Sequence, residues 1–321
     1  MRAAVCPAYG PPEVVRVEDI PDPELAPGHI RIQVHAAAVN FPDVLLVAGR
    51  YQVPVPPPFI PGSECAGVVT EMAGDVTGFT IGDRVTGTSM SGAFAEQVCL
   101  PSTAVTPIPG MVDDRTAAAF GVAHRTAYHA LRSAARIGPG DDVIVLGAGG
   151  GVGLAAVQLA TALGARVIAV ASTDEKLSVA RQHGAQAVVN HRAGDLRAAL
   201  RAVIPDGAHA VLDPVGGDLS EPTLRALRRG GRYVTIGFAS GTIPRIPLNL
   251  VLVKGIALLG FQFQDVPADE FARNEAELAR WLARGTVAPH IGAVYRLEQI
   301  AAALRHVADG LAVGKVIVQV G

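Results

Sequence analysis

The residues that most directly imply chemistry are a cluster of glycines between two apolar segments. The stretch DVIVLGAGGGVGLAAVQLATAL, residues 142 to 163, runs from a β-branched apolar segment through the glycines into an alanine- and leucine-rich segment of helical length. That order is strand, tight turn, helix. In such a unit the glycines let the backbone approach a phosphate, and the free N–H groups and dipole of the helix N-terminus favour the anion. Aligning Gly150 and Gly153 with the second and third glycines of the dinucleotide fingerprint places Ala148 at the first, so the pattern is A-x-G-x-x-G. A glycine turn without a ligand is the alternative. The strand before, the helix after and the repeated β-α alternation around it favour a dinucleotide.

Which dinucleotide follows from the end of the second strand. About 20 residues beyond the turn, an NAD-binding unit carries Asp or Glu to hold the ribose hydroxyls. This chain has Ala171, Ser172 and Thr173 there, and Asp174 reads as the cap of the next helix. Without the acid a 2′-phosphate is not repelled. Ser172 can donate a hydrogen bond to it and Lys176 can supply charge, with Arg192 a second cation after the third strand. The expected cofactor is NADPH. The competing reading of Lys176 is an ordinary solvated helix lysine.

These residues need elements to position them. Residues 1 to about 120 read as all-β, with short apolar or alternating runs at 14–17, 30–36, 66–71, 84–86 and 94–100 divided by Pro, Gly and Asp turns. Such spacing suggests a small barrel or sandwich. The segment YQVPVPPPFIPG, residues 51–62, is an extended and rigid loop. From residue 113 strands and helices alternate: a helix at 117–131, then the glycine unit, strand 166–170, helix 173–183, strand 187–190, helix 195–204 and strand 209–213. Helix 219–229 and strands 232–236 and 256–260 follow, and helices at 268–284 and 297–308 precede a last strand, 315–320. Near-continuous apolar strands between amphipathic helices mean an α/β fold, a doubly wound parallel sheet covered on both faces. The last strand is expected to return to the first domain, giving domains of 1–122 with 266–321 and of 123–265.

Composition bounds the class of protein. At 321 residues two domains are the default. Half the residues are hydrophobic, 17% are charged and the formal net charge is -2, which argues for a compact globule and against a nucleic-acid partner. Cys6, Cys65 and Cys99 are too few and too scattered for a disulfide framework, which fits a reducing cytoplasm. The N-terminal MRAAVCPAYGPPE has no apolar run of signal-peptide length. The run 248–261 contains Lys254 and Gly255 and is shorter than the ~20 apolar residues of a membrane span, so it is expected to be a buried strand.

Several blocks in order resemble the zinc-independent quinone oxidoreductases of the medium-chain dehydrogenase/reductase superfamily, the relatives of zeta-crystallin, over nearly the whole chain. They are VNFPDVLLVAGRYQ (39–52), PFIPGSECAGVV (58–69), GFTIGDRV (78–85), GAFAE (92–96), TAYHAL (126–131), EKLSVARQHGA (175–185), DPVGG (213–217), GGRYVTIGFASG (230–241) and GKVIV (314–318), with the glycine turn among them. The resemblance implies a Rossmann domain inserted in a GroES-like β-barrel domain, with NADPH as cofactor. It also implies residue roles. Asn40 contacts the nicotinamide end with Thr126 near it, Gly150, Gly151, Val152 and Gly153 hold the pyrophosphate, and Ser172 and Lys176 take the 2′-phosphate. Gly237, Phe238, Ala239, Ser240 and Phe261 line the nicotinamide, and Lys315 matches a basic position near the cofactor. Where many relatives have tyrosine after the asparagine ending the third strand, this chain has His191, expected with Arg192 at the adenosine end.

The zinc-dependent cousins use cysteine and histidine ligands, about three plus an open position. The matching positions here are Asn40, Ser63 and the Gly121-Val122 region, and although Glu64 is retained, a lone carboxylate makes no zinc site. No metal is expected. Alcohol oxidation then lacks its usual alkoxide stabiliser, whereas a quinone or activated alkene accepts hydride directly. Tyr51, in the proline-rich loop, is the best-placed donor to the resulting oxyanion, or else a wall that stacks on substrate. Asp43 reads mainly as structural beside Pro42, and His124 and Arg125 are further candidate donors. The expected function is NADPH-dependent quinone reduction. The alternatives are reduction of an enone, enal or enoyl thioester, and an NADPH-binding structural or regulatory role. The expected partners are a small quinone or alkene and a second copy in a homodimer through strand 256–259, with neither nucleic acid nor membrane.

Overall fold

The computed structural model describes residues Met1–Gly321, apart from the side chain of Gln264. The chain divides into two compact units, Met1–Val122 with Ala288–Gly321, and Ala123–Val287.

The first unit is a β structure. It begins with the antiparallel ribbon of β1 (Arg2–Val5) and β2 (Arg16–Asp19), followed by the long β3 (His29–Val39) and a short helix, α1 (Phe41–Val47). Then come β4 (Glu64–Met72), β5 (Arg84–Thr88), β6 (Gln97–Pro101), β7 (Val105–Pro107) and α2 (Asp114–His129), within which the division between units falls. The chain enters the second unit through β8 (Asp142–Leu146), α3 (Gly151–Ala162), β9 (Arg166–Ala171), α4 (Asp174–Gln182), β10 (Ala187–Asn190) and α5 (Leu196–Val203). It continues with β11 (Ala208–Asp213), α6 (Ser220–Arg225), β12 (Leu227–Thr235), α7 (Leu248–Lys254), β13 (Ala257–Gly260) and α8 (Ala268–Ala283). Back in the first unit it forms β14 (Ile291–Arg296), α9 (Ile300–Ala308) and β15 (Lys315–Gln319).

In the first unit the strand order is β14-β15-β3-β4-β5-β7, with β6 also paired to β3. Alternation puts Ile30, Ile32 and Val34 of β3 into the core beside Val69, Val85 and Val98. The expected return of the last strand is observed: β15 runs antiparallel to β3, with Val316 opposite Val39. That register carries Lys315 to the level of Asn40, and the pairing of Ala37 with Cys65 brings Glu64 to the same end of β3. In the second unit six parallel strands follow the order β10-β9-β8-β11-β12-β13. The order reverses beside β8, where a doubly wound sheet opens its nucleotide crevice. Val143, Ile144, Val145 and Leu146 are fully buried, as strands covered on both faces must be.

Four expectations change. The first domain is not all-β, because Pro42 in the first turn and Asp43 at its third position start helix α1 after β3. The run 248–261 is not one buried strand: α7 ends where Gly255 takes a left-handed conformation (φ 62°), and only then does β13 begin. Leu248 and Leu252 on α7 are exposed. The helix expected at 219–229 stops at Arg225, since Leu227 already pairs with Ala208 of β11. Finally, the boundary expected at 265/266 lies at 287/288, because α8 is tied to α2 within the second unit. Tyr128 donates to Glu277 at 2.6 Å, and Asn274 donates to Ser133 at 3.1 Å.

Candidate active site

In the second unit, β8 ends in a turn shaped for a phosphate. Gly147 has φ 60°, and the N–H of Gly150 donates to its carbonyl at 2.9 Å. Gly150 is the N-cap of α3 and has no side chain to accept from the first-turn N–H groups, which leaves them for an anion. A Cβ on Gly153 would lie 2.1 Å from the Gly147 carbonyl oxygen, so only glycine lets the helix sit this close to the turn. Gly151 and Val152 complete that first turn. Ala148, in place of the first glycine of the fingerprint, is fully buried and donates its N–H to Val170 at 3.0 Å.

The end of β9 carries no carboxylate. Thr173, and not Asp174 as expected, is the N-cap of α4: its hydroxyl accepts from the Lys176 N–H, because the residue one step earlier has the extended backbone that a cap needs. Asp174 instead accepts from the Asn190 amide at 3.0 Å. Ser172 is half-buried at the strand end, and the stem of Lys176 lies over Gly149 of the turn, where a Cβ would meet it at 2.5 Å. Burial and then Arg192 push the Lys176 ammonium below its usual range, and the same two causes, followed by Lys176, lower the His191 imidazole. Lys176 and Arg192 are thus two neighbouring cations beside the phosphate turn, and they keep the nearby His191 imidazole from gaining a charge of its own. Turn and cations together fit a nucleotide bearing an extra phosphate.

The loop of Gly237, Phe238, Ala239 and Ser240 follows β12 and is tied to the turn after β11. Buried Asp213 accepts from Val215 N–H, Gly216 N–H, Ser220 hydroxyl and Tyr233 hydroxyl at 2.8, 2.7, 2.8 and 2.5 Å. Burial and this carboxylate hold the Tyr233 phenol far above its usual range. Ala239 and Ser240 then bond back to the Pro214 and Val215 carbonyls. Phe261 meets Phe263 edge to face at 5.2 Å, and Thr126 lies half-buried on α2. None of these aromatic and loop residues has a sequence signal beyond its motif. Asp213, which organises the turn, was visible only as part of DPVGG.

In the first unit, Asn40 follows β3 and belongs to a buried polar cluster. Its Nδ2 donates to Ser63 Oγ at 3.0 Å and to Glu64 Oε1 at 2.9 Å, and its Oδ1 accepts from Lys315 Nζ at 2.5 Å. Lys315 also pairs with Glu64 Oε1 at 2.7 Å, and Glu64 Oε2 accepts from the Val122 N–H at 2.7 Å. Gly121 lies against the same carboxylate, since a Cβ there would be 3.1 Å from Glu64 Oε2. The positions singled out by the metal comparison therefore do converge. Their donors are an amide, a hydroxyl and one carboxylate already paired with an ammonium, which is not the thiolate and imidazole set of a catalytic zinc. Among the described residues no group of three or more His, Cys, Asp or Glu is placed to hold a metal. Asp43 closes the cluster. Its Oδ2 accepts from the Asn40 N–H at 2.7 Å, its Oδ1 has no hydrogen-bond partner, and burial pushes its carboxyl up to about 7.

Tyr51 is half-buried against the barrel core, and among the described residues its hydroxyl has no hydrogen-bond partner. Arg125 and His124 belong to the second unit, where Arg125 pairs with Glu275 at 2.8 Å.

Comparison with known proteins agrees with this architecture. Residues 26–110 match the alcohol dehydrogenase GroES-like domain and residues 151–282 the zinc-binding dehydrogenase family. The rat quinone oxidoreductase-like protein 2 is 38% identical over 98% of this chain and 91% of its own length. Human quinone oxidoreductase is 32% identical over 99% of this chain and 97% of its own. The crystal structure of Escherichia coli quinone oxidoreductase complexed with NADPH superposes with a TM-score of 0.91 at 26% identity, covering 99% of this chain and 100% of that one. With a GroES-like unit, a parallel-sheet Rossmann unit and these relatives, the chain belongs to the quinone oxidoreductase family of medium-chain dehydrogenase/reductases.

Proposed function

We propose that this oxidoreductase uses NADPH to reduce a quinone by direct, zinc-independent hydride transfer. The observation that carries the cofactor choice is the stem of Lys176 lying over Gly149, which sets a cation beside the phosphate turn where an NAD-type acid is missing. When bound, NADPH supplies the hydride. Gly150, Gly151, Val152 and Gly153 hold its pyrophosphate, Ser172, Lys176, His191 and Arg192 its adenosine phosphate end, and the 237–240 loop with Phe261 its nicotinamide. Asn40, Thr126 and Lys315 complete the cofactor contacts. The names of the rat and human relatives support the quinone, and the amide and hydroxyl donors at Asn40 and Ser63 support a reaction needing no Lewis acid.

A second acceptor class is an enone, enal or enoyl thioester. It is favoured by the Tyr51 hydroxyl, which has no hydrogen-bond partner among the described residues and can donate to an enolate. The test is NADPH oxidation, followed by its absorbance, with para-benzoquinone and with cyclohexenone. Fast turnover of the quinone supports the first reading and fast turnover of the enone the second. NADPH binding without turnover on either marks a structural or regulatory protein.

The working form is a homodimer. β13 is the last strand of its sheet and presents an open edge, and Leu258 on it is exposed. Cys6, Cys65 and Cys99 are all free thiols, as a cytoplasmic site of action requires. No described helix is long and apolar enough to cross a membrane.

A further inference from the structure

A dinucleotide laid across the carboxyl ends of a parallel sheet meets the strands in their spatial order, not their chain order. In the second unit that order is β10-β9-β8-β11-β12. Lys176 and Arg192 follow β9 and β10, and the phosphate turn follows β8. The half of the nucleotide beyond the pyrophosphate therefore lies over the ends of β11 and β12, two strand spacings or about 10 Å further. Both ends are held by one buried carboxylate. Asp213 is 1% exposed; its Oδ1 accepts from the Val215 and Gly216 N–H groups, and its Oδ2 from the Ser220 and Tyr233 hydroxyls. Its main-chain carbonyl accepts from the Ile236 N–H at 2.8 Å, where β12 runs into the 237–240 loop. Four donors fill the capacity of the carboxylate.

The turn that Asp213 holds touches a neighbour on either side. Val215 packs against the phosphate turn, where a Cβ on Gly147 would lie 2.8 Å from Val215 Cγ2. Gly216 and Gly217 both take left-handed backbone (φ 70° and 62°) and press on the 237–240 loop. A Cβ on Gly216 would lie 2.8 Å from Phe238 Cδ1 and one on Gly217 2.8 Å from Ser240 Oγ, and the Gly217 N–H donates to the Thr242 carbonyl at 3.0 Å. Resting on the NADPH reading above, we propose that Asp213, held by Ser220 and Tyr233, is a positioning residue that locks the phosphate turn and the 237–240 loop into one frame for the nicotinamide half. Asp213 is out of reach of solvent and acts only through the backbone it holds. It fixes the distance between the two seats, so that a dinucleotide anchored by its phosphates finds the nicotinamide seat already formed. An amide in its place offers one oxygen to four donors, and the two hydroxyl protons lose their acceptor in a dry interior. The adenosine half, on the β9 side of β8, does not draw on this frame.

Calorimetric titration of the full-length protein with NADPH and with adenosine 2′,5′-bisphosphate separates the two halves of the cofactor. In Asp213→Asn we expect NADPH affinity to fall at least about tenfold while the bisphosphate binds as it does to the wild type. Tyr233→Phe removes one donor and keeps the ring; it shows the same split to a smaller degree and carries the test alone should Asp213→Asn not fold. The fluorescence of bound NADPH, which reports the surroundings of the nicotinamide, shifts in both variants. Wild-type affinity for both ligands in these variants overturns the proposal, and so does an equal loss of both, which marks a purely structural residue. Should the wild type bind neither ligand, the NADPH reading fails on its own. Amide hydrogen exchange of the nucleotide-free protein then decides the frame: in Tyr233→Phe the Gly217, Ala239 and Ser240 amides are expected to exchange faster, with Leu177 on α4 unchanged. Exchange unaltered at all four overturns it.

Discussion

At the scale of single residues, the proposed cofactor choice turns on one lysine and the pH dependence of stability on one buried carboxyl. Lys176 owes its role to place: on an exposed helix face it would be one more solvated charge, but here its stem covers Gly149 and its ammonium is partly desolvated beside Arg192. A charged contact of this kind is worth roughly 1.5–3 kcal/mol, or about ten- to a hundredfold. Lys176→Ala is expected to weaken NADPH by that factor and to leave NADH nearly unchanged, as read by fluorescence titration of each reduced nucleotide. Asp43 makes a prediction for stability. Its folded pKa of about 7 lies above the ordinary 3.8, so between these values the folded protein keeps a proton that the unfolded chain has released. Stability therefore falls as pH rises from 3.8 towards 7, and the penalty is complete above it. Asp43→Asn removes that titration. Urea unfolding across this range should show the variant gaining on the wild type as pH rises, by up to about 4 kcal/mol; a pH-independent difference would contradict the assignment.

Elements place these groups through close approaches that tolerate no extra atom. The contact of α3 with the phosphate turn depends on Gly153, where a Cβ would be 2.1 Å from a carbonyl oxygen of the backbone. Backbone cannot move aside cheaply, so Gly153→Ala should lower stability by roughly 1–3 kcal/mol and abolish nucleotide binding, checked by thermal melts with and without NADPH. Gly149 gives the contrast. Its obstacle is the flexible stem of Lys176, so Gly149→Ala should leave the melting temperature of the free protein almost unchanged while reducing NADPH affinity. At the barrel cluster the positioning element is the strand register, since the β3–β15 and β3–β4 pairings bring Asn40, Lys315 and Glu64 together from three distant parts of the chain.

For the molecule as a whole, the consequence of the sheet order is an open edge at β13. In the proposed dimer a charge at Leu258 would have to be buried without a partner, so Leu258→Lys should give monomers in sedimentation velocity while each chain keeps its fold. Assembly unaffected by this change would place the interface elsewhere.

Much of this was legible in the order of residues, and the reasons for the remainder are physical. The parallel sheet, the phosphate turn, the missing acid after Ala171 and the return of β15 are local or periodic signals, carried by residues whose partners lie a few positions away or repeat along the strand. Other features depend on distant partners. Leu227 leaves a helical run because Ala208 offers it a strand, α8 joins the second unit because Glu277 and Asn274 meet Tyr128 and His129 of α2, and Lys254 with Gly255 divides an apolar run into helix and strand. Asp43 could be read from sequence only as a turn residue beside Pro42. Its burial and its unpartnered oxygen arise only when β3, β4 and β15 are assembled, because the protonation of a carboxyl depends on the solvent and charges that folding removes or brings near. Sequence alone determined which nucleotide-binding architecture this chain builds; tertiary structure decided which of its polar groups are taken out of water, and so which can hold a proton.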